Sequence, residues 1–189
     1  ATLGFSLFKD SLTEVVTKTT FDDLWVASAR KELAELQPKL EARYKVFKLA
    51  QAIDGIIGEK SFDEVIIDTP PALNFYSMSA LLAAARVLIP FDCDAFSAKA
   101  VHQVMEVVNE VSADHRPNLE IEGIVINHFQ AQAKLPQETA KAFAAKGFKV
   151  LLPYLSSSIL MKESHEKNVP VVYLKRGHKL SQEYLQLAK

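Results

Sequence analysis

The apolar positions of this chain follow two rhythms. Long stretches repeat at steps of three and four, the stripe of a helix, and short β-branched runs between them have the pattern of strands. Leu33, Leu36, Leu40, Tyr44, Phe47, Ala50, Ile53 and Ile57 make the longest stripe. Pro38 is expected to kink or interrupt that helix, and Gly55 and Gly58 to mark its end. Ahead of it, Leu3 to Val16 reads as a short amphipathic helix, with Leu3, Leu7 and Leu12 on or near one face. Asp22 to Ala27 reads as a short strand. Behind the stripe, Phe62 to Pro71 runs FDEVIIDTPP, and Val65, Ile66 and Ile67 are an unbroken β-branched run. That run predicts a strand buried on both faces of a parallel sheet, ending where Pro70 and Pro71 cannot continue the ladder.

From there the two rhythms alternate. Ser77 to Ala85, Ala98 to Val111, Pro136 to Ala145, Ile159 to Lys167 and Ser181 to Ala188 read as helices. Val87 to Pro90, Ile121 to Ile126, Phe148 to Leu152 and Val171 to Leu174 read as strands. Strands alternating with helices predict an α/β fold, a doubly wound and mostly parallel sheet with helices on both faces and right-handed crossovers. No internal repeat, low-complexity tract or linker interrupts the pattern, so residues 1–189 are read as a single domain.

Composition narrows the function classes only slightly. A net charge of −1 gives no global reason to expect nucleic acid or an anionic membrane as partner. No apolar run approaches the roughly 20 residues of a membrane span, and the opening ATLGFSLFKD lacks the basic lead and apolar centre of a signal peptide. Cys93 is the only cysteine, which excludes an intrachain disulfide and makes the cytoplasm the simplest compartment.

The candidate chemistry gathers at strand ends. Ligands of open α/β sheets bind at the carboxyl ends of the strands, and Asp68 stands at one of them. It either begins a turn or holds a hydrated magnesium ion against a nucleotide's phosphates. Asn127 follows Ile121 to Ile126 and is either a turn asparagine or an amide for a purine edge. Pro153 follows Phe148 to Leu152 and either stops that strand or frees carbonyls to face a base. Other chemistries find no support. Gly55 and Gly58 are three apart, with Glu59 before Lys60, so they make no phosphate-binding loop. The five histidines form no HxxxH pair. Ser156, Ser157 and Ser158 sit in no GxSxG elbow and suit a helix cap before Ile159. Asp92 and Asp94 flank Cys93 and read first as loop residues.

Together, FDEVIIDTPPAL, VLIPF at Val87 to Phe91, GIVIN at Gly123 to Asn127, LPYLSSSILMKES, the later Val169-Pro170-Val171 and the closing HKLSQEYLQLA resemble the ParA/MinD/Soj ATPases, deviant Walker A members of the P-loop proteins. The resemblance runs along essentially the whole chain in order. Ala1-Thr2 resembles the tail of a family segment that follows the first strand, the deviant P-loop with its lysines, the next helix and a switch aspartate. On that alignment residues 1–189 are expected to be one ParA-like ATPase domain, amino-terminally truncated and lacking the P-loop strand. The 189 residues alone are then expected neither to bind nor to hydrolyse ATP appreciably, and backbone edges beside Val65–Ile67 to be left unpaired or filled by another segment.

Position by position, the resemblance implies that Asp68 is the Walker B acid, holding Mg2+ through water, and that Thr69, Pro70 and Pro71 begin the nucleotide-sensing switch. It implies that Asn127 lies beside the adenine and Pro153 near the loop closing over the base. It further implies an ATP-bound homodimer in the intact protein, nonspecific DNA binding, a ParB-like partner protein, and a role in plasmid or chromosome segregation. Lys162, Lys167, Lys175, Arg176 and Lys179 are the candidate DNA contacts. The tail from Ser181 to Lys189 is short and poor in cations, which argues against membrane anchoring. The alternatives are a metabolic relative on the same scaffold, of cobyrinate diamide synthase or dethiobiotin synthetase type, and a non-catalytic interaction domain.

Overall fold

In the computed structural model, which describes residues 12–29, 32–59, 62–92 and 97–189, hydrophobic burial builds two units. One comprises the described residues up to Ala85 with Val111–Leu119, the other Arg86–Glu110 and Glu120–Lys189. The helix expected from Leu3 to Val16 lies outside the described residues up to Ser11, and its described end, residues 12–16, is a turn leading into a strand instead. Cys93 and Asp94 also lie outside the described residues.

In the first unit β1 (Val16–Lys18) pairs antiparallel with β2 (Trp25–Ala27), Val16 opposite Ala27 and Lys18 opposite Trp25. The strand expected at Asp22 to Ala27 is thus shortened and gains a partner that its polar sequence, VTK, does not advertise. The long helical stripe folds as α1 (Glu32–Glu41) and α2 (Lys48–Glu59). Pro38 lies inside α1, which ends within the next turn, as expected when a proline removes a helical hydrogen bond. The chain then reverses through Tyr44, left-handed at φ 52°, into the single tight turn Lys45–Phe47. Both expected stop glycines, Gly55 and Gly58, lie within α2. The core joins Leu40, Leu49, Ala52, Ile53 and Ile56 to Leu12, Val15 and Ala80, the last from α3 (Phe75–Ala83). Asn74 caps α3, its side chain accepting from the N–H groups of Tyr76 at 3.0 Å and Ser77 at 3.2 Å.

Between α2 and α3 the expected strand does not form. Val65–Ile67 has no ladder partner among the described residues. A β-branched run is extended by preference but becomes a strand only when a neighbour takes its N–H and C=O groups. Burial on both faces fails with it: Val65 is 44% and Ile66 89% exposed, while Ile67 and Phe62 pack against the α2 core.

The second unit is the parallel sheet. β3 (Arg86–Asp92), β4 (Glu120–Asn127) and β5 (Val150–Leu151) lie side by side in that order, all parallel. Between them run α4 (Ser97–Asp114), whose residues to Glu110 belong to this unit, and α5 (Lys134–Ala145). α6 (Ile159–Lys167), α7 (Val171–Leu174) and α8 (Lys179–Leu187) follow β5. Alternation along β4 feeds two cores, one per face. Ile124 and Ile126 join Ile89, Phe91, Val101, Met105 and Phe143, whereas Val125 joins Leu155, Leu160, Val171 and Leu180. The strand expected at Val171 to Leu174 is instead a helical turn. A short apolar run fits either element, and Val171 meets its burial as well from a turn started at Pro170.

At Gly123 the register between β3 and β4 shifts: Val87 faces Ile121, but Leu88 faces Gly123. A Cβ on Gly123, at φ +155°, would lie 2.7 Å from Leu151 Cγ and 2.9 Å from the Lys149 carbonyl oxygen. Gly123→Ala is therefore expected to destabilise by about 1–3 kcal/mol in denaturant titration, through forced separation of β4 and β5. Phe91→Ala, removing a ring 1% exposed that meets Phe143 edge-on at 5.0 Å, is expected to cost about 3–5 kcal/mol. Leu88→Ala in the same strand, at a position 57% exposed, is expected to cost less than about 0.5 kcal/mol in the same assay.

Candidate functional site

The candidate residues lie on three pieces of backbone. In the first unit Ile67 is half-buried against the α2 core, and the chain leaves that anchor directly into Asp68, Thr69, Pro70 and Pro71, all exposed. The proline pair ends the extended segment. The turn beyond it is held by the Ser77 hydroxyl, which donates to the Ala72 carbonyl, and by the Asn74 cap. Asp68, expected at the carboxyl end of a buried strand, is instead an exposed carboxylate on an extended stretch that pairs with no strand among the described residues, because Val65–Ile67 finds no ladder partner there.

The second piece is the carboxyl end of the sheet. Asp92 and Asn127 close β3 and β4 and face one another across the ladder. The next residue, His128, is left-handed at φ 50°, a conformation that histidine tolerates better than most residues. That turn sets His128 Nδ1 3.3 Å from Asp92 Oδ2. Asn127, half-buried, precedes His128 in the chain and is the ladder partner of Asp92. Asp92, expected as a loop residue, is the last residue of β3 and takes part in the contact with His128.

The third piece is the loop from Leu152 to Ser158. Leu155 N–H donates to the Ile126 carbonyl at 2.9 Å, Phe129 N–H to the Leu155 carbonyl at 2.9 Å, and Ser157 N–H to the Phe129 carbonyl at 3.2 Å. These bonds continue the parallel ladder past the ends of β4 and β5, so Asn127 and the half-buried Pro153 share one rim. Tyr154 packs edge-on against Phe129 at 4.8 Å. Ser158 caps α6 by accepting from the Leu160 N–H at 3.2 Å, the capping role its sequence suggests. Ser156 does something else. Its N–H and hydroxyl both donate to the Glu183 carboxylate, at 2.8 and 2.7 Å. Nothing local in the sequence reveals a contact between two residues that far apart.

Of the candidate cations, Lys162 and Lys167 lie on α6, Lys175 and Arg176 between α7 and α8, and Lys179 on the first turn of α8. All five are exposed, with Glu163 and Glu166 exposed among them. Lys179 Nζ lies 3.6 Å from Glu183 Oε1. Among the described residues no cluster of three or more metal-ligating side chains occurs, and no helix is long and apolar enough to cross a membrane.

This arrangement has known relatives. A family model described as an AAA domain matches residues 3–121, more than half of the chain. The chromosome partitioning protein ParA of Caulobacter vibrioides is 28% identical over 178 residues, 93% of this chain and 67% of that protein. The sporulation initiation inhibitor protein Soj of Bacillus subtilis is 26% identical over 184 residues, 93% of this chain and 70% of that protein. The chain thus spans about two thirds of the length of these relatives. Among solved structures, the cell division ATPase MinD of Pyrococcus furiosus is similar with a TM-score of 0.73 at 21% identity, covering 100% of this chain and 73% of that one. Cobyrinic acid a,c-diamide synthase of Mycobacterium smegmatis, solved with bound ATP analogue and magnesium, is similar with a TM-score of 0.76 at 22% identity, covering 84% and 65%. At such identities the structural likeness is one of fold. The parallel sheet, the ordered motifs and the relatives agree: the chain belongs to the ParA/MinD/Soj family of ATPases.

Proposed function

We propose that this chain is the greater part of a ParA-type partition ATPase, in which ATP binding drives homodimerisation and nonspecific DNA binding and a ParB-like partner stimulates release. The observation that carries this reading is the match along 93% of the chain to relatives named for chromosome partitioning and for Soj. Each unit carries residues that support the cofactor reading. Asp68, exposed and acidic, suits a magnesium ion held through water. Asn127, a half-buried residue at the end of β4, carries an amide of the kind that pairs with a purine edge. Magnesium, when bound, supplies neutralisation of phosphate charge. Asp68 orients that ion's water shell, Thr69, Pro70 and Pro71 begin the segment that senses the nucleotide, and Asn127 with Pro153 selects and covers the base.

The DNA surface we propose is Lys162, Lys167, Lys175, Arg176 and Lys179. Binding to phosphates needs only cations within reach of the backbone, without base-specific geometry. A second reading, metabolic chemistry on the same scaffold, is favoured by the likeness to the diamide synthase, whose TM-score is no lower than that of MinD. DNA retention separates the two, since only the partition reading requires it.

In the full-length protein Asp68→Ala is expected to lower magnesium-dependent ATP turnover by about 10–100-fold, the usual cost of losing a group that orients a metal's shell. Turnover within twofold of the parent would remove Asp68 from the site. Replacing Lys162, Lys167, Lys175 and Arg176 by alanine is expected to weaken ATP-dependent DNA binding equally across sequences. The slope of log Kobs against log salt should fall by about 0.9 for each phosphate that is no longer neutralised. An unchanged slope would place the DNA surface elsewhere.

A further inference from the structure

The Ser156 N–H needs a partner that the ladder does not supply. The bonds tying the loop to the end of β4 use the N–H groups of Leu155 and Ser157 and the carbonyl of Leu155. The Ser156 N–H is satisfied from α8, where Glu183 receives it on Oε2 at 2.8 Å and takes the Ser156 hydroxyl on Oε1 at 2.7 Å. The Glu183 side chain is only 12% exposed, so both bonds are shielded from water. The acceptor is itself well seated. Leu180, one helical turn before Glu183, is buried in the core that also holds Leu155, Leu160 and Val171. The Ser181 hydroxyl donates to the Val171 carbonyl at 3.0 Å, and His178 Nδ1 caps the helix by accepting from the Leu180 N–H at 3.1 Å.

We infer that Glu183 is a positioning residue for nucleotide recognition: by gripping both polar groups of Ser156 it holds the Pro153–Tyr154 loop over the rim that carries Asn127. The inference rests on the reading, proposed above, that Asn127 and Pro153 flank a nucleotide base. Glu183 itself does not touch the nucleotide. It fixes the loop from behind, through the residue next to the buried Leu155. Releasing it leaves the backbone bonds at Leu155 and the Tyr154–Phe129 contact in place but removes the tie on Ser156, loosening the loop on that side. Affinity for the nucleotide and discrimination between purines should then fall together, while the reacting end of the nucleotide is untouched.

The test uses the full-length protein and fluorescent ATP and GTP analogues in equilibrium titration, with steady-state turnover in parallel. Glu183→Ala is expected to raise the dissociation constant for ATP about tenfold and to shrink the ATP-over-GTP preference by a similar factor. KM should rise with it, and kcat should change less than twofold. Glu183→Gln, which keeps the shape and an acceptor oxygen, should recover most of the affinity. Ser156→Ala, which deletes only the hydroxyl bond, should show about a threefold loss and carries the same test if Glu183→Ala does not fold. Unchanged affinity in both Ser156→Ala and Glu183→Gln together with Glu183→Ala would overturn the inference. So would lower thermal stability with purine preference intact, the mark of a merely structural contact. Asn127→Ala distinguishes the two layers. If it weakens ATP binding while the Glu183 variants do not, the base site stands and the positioning role falls. If it has no effect, the base reading fails and this inference with it.

Discussion

Burial of β4 on both faces is the constraint that the second unit is built to meet. Ile124 and Ile126 require one apolar layer and Val125 another, so helices must pack on both sides of the strand. α4 and α5 meet the first demand, and α6 to α8 meet the second. The rim inherits its geometry from this arrangement. Asn127 is where the strand emerges from its two cores, and the Pro153 loop is bound to it through backbone atoms at Ile126 and Phe129. Side chains on that rim are free to be chosen for chemistry because the backbone beneath them is fixed by packing.

Val65–Ile67 shows what the same residue types do without a neighbouring strand. They hold an extended line, but only Ile67 and the nearby Phe62 reach a core, and no ladder forms along them among the described residues. An extended backbone needs only local sterics, whereas a strand needs a second chain segment at hydrogen-bond distance. Asp68 consequently owes its position to one half-buried isoleucine on its amino side and to the capped start of α3 on the other.

How much of this was legible in the sequence depended on the range of the signal. The sheet class, the run from Phe75 to Asn127 and the helix Ile159–Lys167 were readable because apolar periodicity is local and both cores of β4 enforce it. The family was readable from DTPP, VLIPF and GIVIN because these short motifs occur in the family's order along one chain. Three kinds of feature were not. The fate of Val65–Ile67 depended on partners elsewhere in the chain. Val171 to Leu174 carried too few residues to tell a turn of helix from a strand. The Glu183 grip on Ser156 and the Asp92–His128 contact are long-range polar pairings, and no periodicity encodes those.

The apolar pair Val65 and Ile66, exposed among the described residues, sits between flanking residues that bear on aggregation of such a run. A β-branched backbone outside any sheet is a template on which other chains can stack, and six or seven such residues suffice for a steric zipper. Here the run is cut short on both sides. Asp63 and Glu64 precede it, while Asp68 and the two prolines follow. Like charges would repel in register, and Pro70 and Pro71 have no N–H to donate. The residues proposed to meet magnesium and the nucleotide are thus also of the types, a charge and prolines, that disfavour stacking of an extended apolar stretch on its own kind.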